Sequence, residues 1–275
     1  MSLFITSLNS GSNGNCYYVG NSEEGVLIDA GISCRETEKR MQRLGLSMQI
    51  VKAIFVSHEH SDHINGISVL ARKYQLPVYI TNSTMQAGRL SLAHLSEVFR
   101  AYEPVKIGSL SVTAFPKLHD ASEPHSFIVE HKGIRVGIFT DIGLACSHVI
   151  DHFKQCHAAF LEANYDEEML DKGNYPIYLK NRIRNGRGHL SNKQALQLFL
   201  DHRPDFMSHV LLSHLSKNNN CPELLGKLFS PHAGNTTVVV ASRYSETPVY
   251  TITDEKLAVA VAGRAILKQE QLSLF

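Results

Sequence analysis

Charge of one sign is missing from this chain. Its 275 residues carry 27 Lys and Arg against 26 Asp and Glu, a formal net charge of +1. That excludes a globally basic nucleic-acid-binding surface, so any such contact must be a local patch. Long apolar runs are missing too. None approaches the roughly 18 residues of a membrane-spanning helix, and no membrane association is expected. The five cysteines (Cys16, Cys34, Cys146, Cys156, Cys221) contain no CxxC pair. With an odd count and no apolar signal segment, they read as reduced thiols of a cytoplasmic protein. No internal linker or low-complexity segment interrupts the sequence. The only shift in composition follows Asp254, which sets a domain over residues 1–253 apart from a tail over 254–275. At 43% hydrophobic content the chain can fill one large core.

Histidine is abundant, with 15 residues. His58, His60, Asp62 and His63 form an HxHxDH cluster directly after the apolar run Ile50–Val56. Three imidazoles and a carboxylate in so short a span cannot share one face of a regular element. They suit a tight loop folded around metal ions. Imidazole favours Zn, Fe and related metals, and the carboxylate admits Mn.

Strand-like runs recur along the chain, among them Leu3–Ser7, Gly25–Ile28, Leu110–Phe115, Arg135–Thr140, Ala158–Leu161 and His209–Leu212. Helical spacing falls at Thr37–Leu44 and Ile64–Tyr74, and Ser191 with Gln194 forms a capping box that opens Ser191–Leu200. Strand groups alternating with helices predict an α/β protein: two mixed sheets packed face to face with helices outside.

Three further strand-like runs end in a metal-ligating residue type, namely His119, Asp141 and His214. Each alone is weak evidence. Together with the HxHxDH cluster they make five histidines and two carboxylates, a full set for two ions. In their order along the chain these residues resemble the metallo-β-lactamase superfamily, whose fold is an αββα sandwich. The resemblance implies that His58, His60 and His119 hold one metal, that Asp62, His63 and His214 hold another, and that Asp141 bridges them. The stretches LNSGSNGNCYYV (8–19), SHEHSDHINGI (57–67), LHDASEP (118–124), LEAN (161–164), GHLSN (188–192) and LLSHLSKNNN (211–220) are similar to its YycJ/WalJ-like branch. That similarity implies a DNA exonuclease with 5′-to-3′ polarity, in DNA repair, using two divalent ions, Zn or Mn, with Fe as a further option. The large β-CASP insertion of RNase J is absent.

Two metals can activate water and clamp both oxygens of an in-line phosphoryl displacement. Asp62 would orient the nucleophile. His189 is the candidate proton donor, because it stands in a loop just before the Ser191 cap. By resemblance to tRNase Z-like relatives, Glu162 at the end of a strand would pair with it. Lys180, Arg182, Arg184 and Arg187 precede His189 with no intervening acid, and are expected to contact a phosphate backbone. Lys217 follows His214 and is expected at the rim. The loop containing Ser12 and Asn15 could offer donors to phosphate or could be a simple turn. Asp29, in LIDAG, reads as a structural turn residue.

A small-molecule hydrolase (thioester, lactone or cyclic phosphate) and a ribonuclease are the alternative readings on the same fold. Finally, Gln271, Leu272, Ser273, Leu274 and Phe275 spell QLSLF. This is similar to the short peptide that bacterial replication and repair proteins insert into the sliding clamp.

Overall fold

The computed structural model describes residues 2–253. In chain order its strands are β1 (Leu3–Asn9), β2 (Cys16–Gly20), β3 (Gly25–Ile28), β4 (Val51–Phe55), β5 (Val78–Tyr79), β6 (Ser96–Glu97), β7 (Val105–Ile107), β8 (Leu110–Pro116), β9 (His125–His131), β10 (Ile134–Phe139), β11 (Ala158–Glu162), β12 (His209–Ser213), β13 (Thr237–Val240) and β14 (Tyr250–Ile252). They form two sheets, ordered β14-β1-β2-β3-β4-β5-β6 and β13-β12-β11-β10-β9-β8-β7. Both follow one plan. An antiparallel half (β14 to β3, and β7 to β10) passes into a parallel half (β3 to β6, and β10 to β13).

Side-chain alternation explains the layers. In β3, Val26 and Ile28 face the opposite sheet and pack in the central core with Phe55, Phe127, Val136 and Phe160. Leu27 points the other way and joins Ile54, Met41, Ile67 and Leu70 beneath the helices α1 (Cys34–Arg43) and α3 (Ile67–Tyr74). Between these helices lies the short α2 (Ser61–Ile64), and α4 (Asn82–Ala87) follows α3. The second sheet is covered in the same way by α5 (Ser147–Phe153), α8 (Asn192–His202) and α9 (Pro222–Phe229), with Phe139, Leu161, Phe153, Phe199 and Phe229 between. Strands buried on both faces carry near-continuous apolar runs, and for that reason they were legible in the sequence. The predicted αββα sandwich is what is observed.

Two helices, α6 (Glu167–Lys172) and α7 (Ile177–Arg184), sit between β11 and α8. Helix α7 buries none of its residues. The expected single helix Ile64–Tyr74 is instead α2 and α3, broken at Asn65 and Gly66. Gly66 lies against the loop after β3, where a Cβ would stand 1.9 Å from the Ile32 carbonyl oxygen. Among the described residues, no helix is long and apolar enough to cross a membrane.

Candidate metal centre

The site lies at the carboxyl ends of the parallel strands, where open α/β sheets present ligands. Asp29 follows β3, Ser57 and His58 follow β4, Asp141 follows β10, Glu162 ends β11, and His214 follows β12. Asp29, Asp141 and His214 have φ of 59°, 55° and 58°, in the left-handed region that residues with a Cβ seldom occupy. Such strain persists only where surrounding structure over-determines it, and it clusters at functional sites. The HxHxDH loop is held from below. The Asp62 carbonyl accepts from Asn15 N at 2.7 Å, and the His63 carbonyl from Ala30 N at 3.0 Å. Gly31 permits this approach, since a Cβ there would lie 1.7 Å from the Asp62 carbonyl oxygen.

Two donor sets result. In the first, His58 Nε2 lies 3.0 Å from His60 Nδ1, and His119 Nε2 lies 3.3 Å from the same atom. In the second, Asp62 Oδ2 lies 3.5 Å from His63 Nε2 and 3.3 Å from His214 Nε2. Asp141 stands between them. Its Oδ2 is 3.1 Å from His63 Nε2 and its Oδ1 is 3.7 Å from His119 Nε2. Three imidazole nitrogens aimed at one another cannot all be satisfied by hydrogen bonds, because each neutral ring has one donor. Asp141 Oδ2 is buried and makes no well-aligned hydrogen bond among the described residues, its nearest polar neighbour being His63 Nε2. Converging lone pairs and a poorly matched carboxylate oxygen fit divalent cations.

The far nitrogens of the rings are held by other groups, as metal-binding histidines require. His58 Nδ1 meets Ser57 Oγ at 2.8 Å, and His119 Nδ1 meets the Gly188 carbonyl at 2.9 Å. His63 Nδ1 donates to Asp29 Oδ2 at 2.7 Å, so Asp29 does more than turn the chain. Ser57 ties the same carboxylate down through its N–H and Oγ. Glu162 Oε1 accepts from His189 Nδ1 at 2.8 Å and His214 Nδ1 at 3.0 Å, while Oε2 accepts from Ile142 N and Leu190 N. The expected Glu162–His189 pair is thus present, and Glu162 also orients His214.

The two sets differ electrostatically. Burial pushes the His119 imidazole down to about 4 and His58 well below its ordinary value, so both rings are neutral donors. Burial opposes charge on His214 as well. Asp141 and the hydrogen bonds to Asp62 and Glu162 outweigh it, and raise that ring to about 10. His63 is likewise raised well above its usual range: burial acts downward, and Asp141, Asp29 and Asp62 prevail. Burial would lift the Glu162 carboxyl, yet His189 and the hydrogen bonds it accepts hold it near 2. The carboxylate-rich set therefore demands positive charge, whether protons or metal.

A cleft of about 230 Å³ opens over both sets, lined by Ser12, His60, Asp120, Tyr175, Arg182 and His189, among others. The basic stretch is less open than its sequence implies. Arg182 donates to Asp120 Oδ2, Arg184 Nη1 to Asp171 Oδ1 at 2.8 Å, and Lys180 Nζ to the Asp171 carbonyl. Arg187 makes no ion pair among the described residues. Ser12 lines the cleft. Asn15 is fully buried, with its Nδ2 3.1 Å from Asp62 Oδ2 and 3.0 Å from His63 Nε2. It positions those two side chains, which replaces the expected phosphate contact. Lys217 is exposed beyond His214. Residues Gln271–Phe275 lie outside the described residues. Sequence reasoning missed Lys117, a buried lysine whose Nζ donates to the Thr140 carbonyl at 2.7 Å behind the site, and Asn164, which donates to the His214 carbonyl. Only the neighbouring LHDASEP and LEAN stretches hinted at them.

An αββα sandwich with adjoining His/Asp donor sets at its strand ends defines a metallo-β-lactamase-type scaffold, and the fold with these clusters suggests divalent metals. The sequence profile of the Beta-lactamase superfamily domain matches residues 25–214, and the chain belongs to that superfamily. Among curated relatives it is 37% identical over 228 residues to exodeoxyribonuclease YycJ of Bacillus anthracis, covering 82% of this chain and 86% of the relative. It is 31% identical over 224 residues to exodeoxyribonuclease WalJ of Streptococcus pneumoniae serotype 2, covering 79% and 83%. The crystal structure of the metallo-beta-lactamase fold protein YhfI from Bacillus subtilis superposes with a TM-score of 0.70 at 15% identity, covering 91% of this chain and all of that one, which supports the fold.

Proposed function

We propose that this protein is a two-metal phosphodiesterase acting on DNA, an exonuclease of 5′-to-3′ polarity that serves repair. The observation that carries the chemistry is His189, in the wall of the cleft that covers both donor sets and held from behind by the buried Glu162 at 2.8 Å. Support for the substrate comes from the two relatives named exodeoxyribonucleases. His58, His60 and His119 would hold one ion, and Asp62, His63 and His214 the other, with Asp141 shared between them. Zn and Mn suit these nitrogen and carboxylate donors. When bound, the ions supply Lewis acidity and a nucleophile from water at neutral pH.

The chain's own groups do the rest. Glu162 holds His189 by Nδ1 and leaves Nε2 as the nitrogen available to a substrate oxygen. His189 protonates the leaving alkoxide there, which general acids accomplish with gains of roughly 10²–10⁴. Asp62 orients the attacking water with its second oxygen. Arg187 and Lys217 attract the strand's phosphates at the rim.

One observation favours a second reading, hydrolysis of a small phosphoester: Arg182 and Arg184 are neutralised by Asp120 and Asp171. Metal-loaded protein incubated with end-labelled single- and double-stranded DNA and RNA decides between them. A ladder of mononucleotide steps from the 5′ end of DNA is expected. Intact polymers alongside a hydrolysed aryl phosphodiester would favour the second reading, and shortening of RNA alone would make the protein a ribonuclease. We further propose that Gln271–Phe275 docks on the sliding clamp. Deleting Leu274 and Phe275 should then abolish clamp binding and spare cleavage of a short oligonucleotide.

A further inference from the structure

Beyond the loop that carries His214 lies a second cavity, of about 310 Å³. Leu215, Pro222, Val240 and Ala241 give it an apolar floor, and Lys217, Arg243 and Tyr244 stand around it. Ser216 lines both this cavity and the cleft over the metal centre, so the two are neighbours on either side of one residue. Arg243 links them physically. Its Nη2 donates to Ser12 Oγ at 3.0 Å and to Asn13 Oδ1 at 3.3 Å, and Ser12 is a wall of the cleft.

Three features of this place remain unused by the fold. Arg243 Nη1 is buried with no hydrogen-bond partner among the described residues, and such a charged donor is costly to leave unmatched. Neither Arg243 nor Lys217 pairs with a carboxylate among the described residues, in contrast to Arg182 and Arg184 across the cleft. Tyr244 is 73% exposed, although its side chain is large and mostly apolar. Unmatched cations, an exposed aromatic face and an apolar floor next to a phosphodiester-cleaving cleft have the chemistry of a single-strand subsite. Such subsites combine backbone charge with base stacking.

We infer that this cavity holds the neighbouring nucleotide of the strand being cut. Its base lies on Tyr244 above Leu215, Pro222 and Val240, and its phosphate is held by Arg243 and Lys217. The inference rests on the nuclease reading and adds to it a direction for the strand, from the cleft past Ser12 and Ser216. Arg243 and Tyr244 stand far along the chain from the basic run before His189, and no motif marks them as substrate contacts.

The test measures binding of a fluorescein-labelled phosphorothioate oligothymidylate, which resists hydrolysis, to metal-loaded full-length protein by anisotropy over a salt series. Native protein should bind. Tyr244→Ala should weaken affinity by about tenfold, the scale of one lost base stack, and Tyr244→Phe should retain it. Lys217→Ala should lower the slope of log affinity against log salt by about 0.7, the value for one phosphate contact on a single strand. Thermal unfolding of each variant, compared with native, confirms that the fold is kept. If the strand binds native protein and all variants alike, the cavity belongs to another occupant, such as a protein segment, and the inference falls while the nuclease reading stands. If native protein binds no strand at any salt concentration, both fall.

Discussion

Glu162→Gln is the substitution that this site should tolerate least, and the reason lies in its hydrogen bonds. The carboxylate accepts from four donors: the Nδ1 atoms of His189 and His214, and the N–H groups of Ile142 and Leu190. A glutamine keeps one oxygen and gains an NH2 that only donates. The two backbone N–H groups cannot change role, so the oxygen must stay with them and the NH2 must face the imidazoles. Both rings then switch tautomer, carrying the proton on Nε2. For His214 this places an N–H against Asp62, where an unprotonated nitrogen is needed for a metal. For His189 it removes the carboxylate that holds Nδ1, and with it the arrangement that leaves Nε2 to face a substrate oxygen. Loss of a carboxylate that orients a ligand typically costs 10–100-fold in metal affinity. Loss of a general acid costs roughly 10²–10⁴ in rate. If the amide turns the other way, two buried N–H groups lose their acceptor at about 1–3 kcal/mol each, and stability falls instead. The assay compares turnover of an oligonucleotide, metal content per chain and Tm. Native turnover and full metal content in the Glu162→Gln protein would mean that this carboxylate orients neither imidazole.

Other outcomes follow from the same geometry. His189→Ala should slow oligonucleotide cleavage by roughly 10²–10⁴-fold with metal content intact. An aryl phosphodiester, whose leaving group needs less protonation, should lose less, and equal losses would show that His189 only shapes its loop. Arg187→Ala should lower the salt slope of DNA binding by about one unit or less. Arg182→Ala should act differently, by freeing Asp120 beside His119; identical slopes for both variants would contradict that distinction. The pH dependence has a definite sign. His214, raised to about 10, is protonated at neutral pH without metal, so metal must displace that proton and its affinity falls as pH falls. His119, pushed down to about 4, competes with protons only near that pH. Cobalt-substituted protein followed by absorption should therefore lose the Asp62/His63/His214 ion first on acidification, and the reverse order would overturn the assignment.

Much of this was legible in the sequence, for physical reasons. Doubly buried strands such as β3 and β12 write themselves as apolar runs, and the residues that follow them fall at one edge. The two-residue β6 and the three-residue β7 are too short to show a period. The division of Ile64–Tyr74 depends on Gly66 meeting Ile32, a contact that only the fold creates. Long-range pairing is equally invisible: Arg182 and Asp120 are far apart in the chain, so the basic run read as open charge. Asn15 looked like a phosphate donor because it lies in a Gly- and Ser-rich loop, yet that loop is folded under the HxHxDH segment. Asp29 read as a turn, and its strained φ and its bond to His63 appear only in three dimensions.

The most direct measurement is a titration. Chelator-treated protein receives divalent metal in steps while bound ions per chain and cleavage of end-labelled single-stranded DNA are followed together. Cleavage that rises to its plateau only as the second ion binds is the predicted result. Full cleavage with one ion or none, or no cleavage of DNA when both sets are filled, would contradict the account.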